Sequence, residues 1–304
     1  MSVPLHLLPE QQPLVWQPTS VEEAMHLKQK WGDDAVLISG GTWLRTRWEN
    51  GVSPLPQHLI SLGRIQALSG LAIDAGGLIH IGPSLHLADL MDNELMRARC
   101  RLLVQACAEI AAPSVRNLAS IGGNVVTRTG DLIPALLVLD AMVICSDGHT
   151  ERCVPLEEWL EGPVQSSFEM MTGITVPTIE YTDEEHTFGF YLKVGRRETF
   201  TPSVVTVAGK LRIAPDRTIQ GIAIAAGGGS AVPARFNELE AIAIGQPLSK
   251  QLLQCLHKGI SEGFNAVADD YAGVAYRKQT AANLIVSECY KIWRKGGGAD
   301  APKS

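Results

Sequence analysis

The 304-residue sequence predicts an α+β fold in three units, with no doubly wound dinucleotide domain. Three observations carry this. Two glycine-pair loops, Ser39-Gly40-Gly41-Thr42 and Ser120-Ile121-Gly122-Gly123-Asn124, are far apart, and no Gly-x-Gly-x-x-Gly follows a first strand. Short apolar strands alternate irregularly with helical spacing as far as residue 176. Two longer β-patterned segments, 206–213 and 218–226, meet at Pro215-Asp216, and helical spacing follows them.

Composition narrows the classes. Hydrophobic residues make up 45% and charged residues 19%, a globular balance in a chain long enough for two or three small domains. A formal net charge of −6 argues against nucleic acid as a partner. No run of like charges and no apolar stretch of bilayer length stands out, so no membrane association is expected. Residues 1–12 carry Pro4 and Pro9 without a basic start, which is not a signal peptide pattern, and a cytoplasmic location is expected. The six cysteines form no Cys-x-x-Cys and are expected to be reduced. Their spacing suits no iron–sulfur cluster, and no His-Glu-x-x-His is present, so no metal site is expected.

In chain order, Ser20 and Glu23 form a capping-box pair ahead of a helix with Val21, Ala24, Met25 and Trp31 on one face, stopped at Gly32. Residues 35–38 are a short strand entering the first glycine loop, and 45–57 read as a polar loop closing a first unit, 14–57. A second unit, 58–180, has strands at 58–62 and 78–82 and helices at 87–91 and 95–112, the last stopped by Pro113. After the second glycine loop come a buried helix at 135–139, a strand at 141–145, an Asp147-Gly148 hairpin and a strand at 168–176. Glu157 and Glu158 read as a solvated helix start rather than as acid–base catalysts. An acidic linker, 180–186, precedes a third unit, 187–293, with helices at 238–244, 250–264 and 275–293. The glycine run 227–229 reads as a structural turn, and 296–304 as a disordered tail.

A glycine pair alone is either an ordinary turn or an anion site, where backbone N–H groups reach a ligand without an intervening Cβ. Two such loops followed by the carboxylate Asp131 suggest a dinucleotide. The longer context decides. Arg116, Asn117, Ala119, Ser120, Ile121, Gly122, Gly123, Asn124, Asp131, Pro134, Ala135 and Leu136 resemble the second flavin loop of the FAD-binding medium subunits of molybdenum hydroxylases, a family that includes xanthine and carbon monoxide dehydrogenases. Ser39 to Leu44 is similar to that family's first flavin loop, with Trp43 in place of its usual Asp, and the Asn124-to-Asp131 segment is shorter than usual. The Phe190-to-Arg197 strand and Gly227 to Arg235 are similar to its C-terminal domain.

The resemblance implies a two-part FAD-binding domain like that of vanillyl-alcohol oxidase and a C-terminal α+β domain with a three-stranded antiparallel sheet. It implies that Leu37, Ile38, Ser39, Gly40, Gly41, Thr42, Trp43 and Leu44, with Ala119, Ser120, Ile121, Gly122, Gly123 and Asn124, surround the pyrophosphate. Asp131 is then expected on the ribose or adenine side, Ile110 and Met171 at apolar flavin contacts, and Lys193 near the ring system. Periodicity alone makes Ile110 a core residue. Neither loop holds a His or Cys to tether the flavin, so non-covalent FAD is expected. The implied partners are a molybdopterin-binding large subunit and a small subunit with 2Fe–2S clusters, with NAD⁺ or another acceptor taking the electrons. No side-chain catalyst is assigned, because the flavin carries the chemistry. Two other readings stay open: a free-standing FAD oxidoreductase of the same fold, and a flavin-free assembly protein.

Overall fold

The computed structural model describes residues 12–163, 169–178, 186–195 and 203–295. The expected terminal tail, most of the acidic linker, Phe168, Arg196 and Arg197 lie outside the described residues.

The chain opens with β1 (Leu14–Trp16), α1 (Val21–Trp31), β2 (Ala35–Ile38), α2 (Thr42–Glu49) and β3 (His58–Ser61). Ser20 caps α1 as expected, its Oγ accepting from Glu23 N at 3.2 Å, while the Glu23 carboxylate reaches back to Thr19 N at 2.8 Å. The strands form a parallel sheet of order β1-β3-β2. His58 was expected to open the second unit, yet β3 is the centre of this sheet, because both its edges are needed to pair β1 and β2. The expected loop at 45–57 begins with the rest of a helix, since α2 runs to Glu49.

The middle of the chain holds β4 (Leu71–Ile73), β5 (Leu78–Ile81), α3 (Leu87–Asp92), α4 (Glu94–Arg99), α5 (Arg101–Ala108), α6 (Pro113–Arg116), α7 (Ile121–Val126), α8 (Ile133–Val138), β6 (Met142–Ser146), β7 (Glu151–Pro155), α9 (Leu156–Glu161) and β8 (Met170–Pro177). Its sheet is antiparallel, in the order β4-β5-β8-β6-β7. The single helix expected over 95–112 is two. Cys100 leaves helical geometry (φ −145°, ψ 48°) between α4 and α5, and the chain turns after Ala108. The buried faces of α3, α5, α7 and α8 meet β5, β6 and β8 in the largest core.

The C-terminal part holds β9 (Thr187–Gly195), β10 (Ser203–Ile213), β11 (Ile219–Gly228), β12 (Ala231–Arg235), α10 (Asn237–Ala243), α11 (Lys250–Gly263) and α12 (Val274–Lys295). Its antiparallel sheet has four strands, not the expected three, in the order β12-β11-β10-β9. The extra strand is β12, reached by a turn at Gly228 and Gly229. Pro233 argues against a strand in the sequence, but β12 is an edge strand, where a missing N–H costs no ladder bond. One sheet face presents Tyr191, Ala208, Ala223 and Ala225 to the main core, and the alanines let α8 approach β10 and β11 closely. The other face, with Val205, Val207, Leu211 and Ile224, packs on α11 and α12. No helix of the described residues is long and apolar enough to cross a membrane.

Candidate functional site

The first glycine loop carries the chain from β2 into α2. Gly41 sits in the left-handed region (φ +67°) and is the residue before the helix; a Cβ there would also come within 2.8 Å of Ile38 Cδ1. Nothing from the side chains caps α2, and no acidic residue occupies its first turn. The first N–H groups of a helix have no partner within it. Those of Thr42, Trp43 and Leu44 are therefore available donors at the positive end of the helix dipole.

The second loop lies directly against the first. A Cβ on Gly40 would sit 1.8 Å from the Leu118 carbonyl oxygen, so the two main chains are in contact. The segment expected to be a nest of free donors is instead the start of α7. Ile121 N donates to Leu85 O (3.1 Å), Gly122 N to Pro83 O (2.8 Å) and Asn124 N to Ser120 O (3.0 Å). Gly123 N donates to the buried Ser120 hydroxyl (3.2 Å), which caps the helix. The turn closes into helix because Ser120 is a strong cap and residues 83–85 accept the remaining donors. A Cβ on Gly123 would come within 2.9 Å of the capping Ser120 Oγ and meet nothing else within 4 Å. Ser84, between the two accepting carbonyls, has a buried hydroxyl with no protein partner.

Between α7 and α8 a compact turn replaces the longer family segment. Asn124 Oδ1 accepts from Leu132 N at 3.0 Å, and Gly130 lies so close to Asn124 O that a Cβ would approach to 2.1 Å. Arg128, in the left-handed region (φ +60°), donates to the carbonyls of Leu160, Gly162 and Pro163 and lies over the Trp159 ring. These bonds anchor the turn to the C-terminus of α9.

Asp131 does not face open space. Its carboxylate takes Lys193 Nζ at 3.0 Å and Ser203 Oγ at 2.5 Å, and its main-chain oxygen takes the Tyr191 hydroxyl at 2.8 Å. Lys193 Nζ also donates to Glu109 O at 3.1 Å. The structure thus joins two expected site residues, Asp131 and Lys193, across the junction between the middle sheet unit and the C-terminal sheet. Burial first, and then the Asp131 charge, hold the Tyr191 phenol well above its ordinary range, so it stays a donor.

The remaining expected residues divide. Leu37, Ile38, Ser39, Thr42 and Leu44 are half-buried around the first loop, and Trp43 is 46% exposed. Ala119 is half-buried, its carbonyl accepting from Leu87 N at 2.9 Å. Ile110 and Met171 are 7% and 5% exposed, both within the main core. Ile110 is fixed by Arg116, whose Nη1 donates to Ile110 O (2.8 Å) and Ala111 O (2.7 Å), which gives the motif arginine a structural task. Residues 83–85, Arg128, Tyr191 and Ser203 were not singled out from the sequence. Their contacts cross long stretches of chain and leave no local signal. Among the described residues no group of three His, Cys, Asp or Glu could hold a metal ion.

These features fit an FAD pyrophosphate: an uncapped helix N-terminus and a second backbone in contact with its loop. Comparison with known proteins gives the family. The model of the FAD binding domain in molybdopterin dehydrogenase matches residues 10–179, and that of the CO dehydrogenase flavoprotein C-terminal domain matches 190–291. The chain is 24% identical to the nicotinate dehydrogenase FAD-subunit of Eubacterium barkeri over 278 residues, 88% of this chain and 92% of that one. It is 33% identical to the carbon monoxide dehydrogenase medium chain of Hydrogenophaga pseudoflava over 165 residues, 53% of this chain and 57% of that one. A solved structure of the Hydrogenophaga pseudoflava carbon monoxide dehydrogenase that lacks the Mo-pyranopterin moiety superposes with a TM-score of 0.85 at 25% identity, covering 95% of this chain and 99% of that chain. This chain therefore belongs to the FAD-binding medium subunits of the molybdenum hydroxylases, and is an oxidoreductase subunit.

Proposed function

We propose that this chain is the electron-exit subunit of a molybdenum hydroxylase and holds one FAD non-covalently between the first glycine loop and α7. The observation that carries it is the uncapped N-terminus of α2 in main-chain contact with residues 118–119. Bound FAD would supply two-electron redox chemistry, in a complex whose small subunit would hold 2Fe–2S clusters and whose large subunit would bind molybdopterin, with NAD⁺ or another acceptor as the electron sink. The N–H groups of residues 42–44 bind the pyrophosphate, and Gly123 keeps the facing surface free of a side chain. Asn124 and Arg128 fix the turn that ends at Asp131, and Asp131 fixes Lys193. Ile110 and Met171 support the flavin end from the core side. A cytoplasmic location, and an FAD-binding domain in two parts with the first closing after β3, belong to the same proposal.

The test is the visible spectrum of the purified protein followed by acid precipitation. A flavin spectrum is expected, with the yellow colour released to the supernatant. A colourless protein that also fails to bind added FAD would favour the flavin-free assembly reading, which the engaged N–H groups of α7 support. Colour that stays in the pellet would exclude non-covalent binding. Gly123→Val is expected to lose flavin at least about tenfold, or ~1.4 kcal/mol of binding, while circular dichroism stays close to that of the parent. Full flavin retention in this variant would remove α7 from the site.

A further inference from the structure

The first turn of α2 runs against ordinary helix electrostatics. Its N-terminus, equivalent to about half a positive charge, has neither a side-chain cap nor an acidic residue. A positive charge from the last turn is held over a side chain of the first instead. The Arg47 guanidinium lies over the Trp43 indole, 4.7 Å from the ring centroid, and Trp43 is the second residue of the helix. Arg47 belongs to the last turn of this eight-residue helix, and its side chain reaches back to Trp43 in the first.

Among the described residues no carboxylate offsets Arg47. The nearby Glu49 is bound at 2.7 Å by Arg45. A guanidinium presents a planar fork of N–H donors whose spacing matches phosphate oxygens. Cationic side chains stabilise the C-terminal end of a helix and oppose the N-terminal end. The missing cap becomes favourable when an anion occupies this end, and a guanidinium held over Trp43 is a cation near enough to the first turn to share that anion.

We propose that Arg47 is a direct phosphate ligand of bound FAD and that Trp43 is the positioning residue that holds it there. This rests on reading the α2 loop as the pyrophosphate site. It also gives the bulky Trp43 a purpose: the indole face steers a cation from the next turn back to the phosphate.

Apo-protein titrated with FAD, followed by flavin fluorescence, tests this without turnover. Arg47→Ala is expected to raise Kd by about 10–100-fold, the worth of one charge-assisted contact. Arg47→Lys should recover part of the loss. Trp43→Ala should behave like Arg47→Ala, and Trp43→Phe, which keeps an aromatic face, should stay near the parent. Two further probes separate the phosphate contact from a general loosening. Competition by ADP should weaken in Arg47→Ala, and the salt dependence of FAD binding should flatten. Riboflavin, which lacks phosphate, should bind parent and variant alike. If the parent binds no FAD, the pyrophosphate reading falls and this inference with it. If the parent binds FAD and Arg47→Ala binds it equally well, with unchanged salt dependence, only the Arg47 assignment falls. Equal losses of riboflavin and FAD would also overturn it, since they would report a damaged loop.

Discussion

Gly40→Ala is expected to abolish flavin binding and to destabilise the fold. One methyl group would sit 1.8 Å from Leu118 O, 2.7 Å from Leu118 C and 3.0 Å from Ala119 Cα. All three are main-chain atoms, so no rotamer change relieves the clash, and the two loops must part. Overpacking by a methyl group usually costs about 1–3 kcal/mol, and rigid backbone on the opposing side puts this site at or above the top of that range. Separation also moves the donors of α2 away from α7, so the ligand site is lost along with the contact. Gly70→Ala is the control, because nothing lies within 4 Å of its added Cβ. Flavin content and thermal unfolding of the two variants check the expectation. A Gly40→Ala protein with parental melting and full flavin would show that the loops are not held together as the structure has them.

Asp131→Ala should give the other large effect, and on stability first. Asp131 and Lys193 are 15% and 8% exposed, and each has further partners, Ser203 on the carboxylate and Glu109 O on the ammonium. Removing one member of a buried pair leaves the other charge without compensation, which costs about 3–5 kcal/mol. Urea denaturation should therefore show a much lower midpoint. Lys193→Met in the same chain should restore part of the loss, because an apolar pair of similar volume carries no uncompensated charge. Additive losses in the double variant would mean that the two residues act separately. Flavin content measured below the unfolding transition then tells whether the clamp also orders the site.

This clamp gives Asp131 partners within the protein. The resemblance placed it on the ribose or adenine side of the ligand. In the structure the shortened turn, pinned by Asn124 and Arg128, delivers its carboxylate to β9 and β10. Its effect on the flavin would run through the placement of Lys193 and of the C-terminal sheet.

Much of the molecule could be read from residues close together in the chain. The Ser20 cap, the strand at 35–38, the Asp147-Gly148 hairpin and the two late helices are written in local patterns of polarity and turn chemistry. The motif from Arg116 to Leu136 carried the family, and with it the cofactor class. These signals survive because a cap, a turn or a helical stripe is decided within one or two turns of chain. Other features depended on partners that no local window contains. Whether residues 121–124 formed a nest of free donors or a helix turn was settled by the carbonyls of Pro83 and Leu85. Whether 231–235 was a loop or a strand was settled by the open edge of β11, which tolerates Pro233. The protein partners of Asp131 are Lys193 and Ser203, 62 and 72 residues further on. The sequence by itself determined where backbone could come close to a ligand and which ligand class that suits. Only the tertiary structure decided which donors remain free to bind it, because each N–H or carboxylate pairs with whichever group the fold brings within about 3 Å.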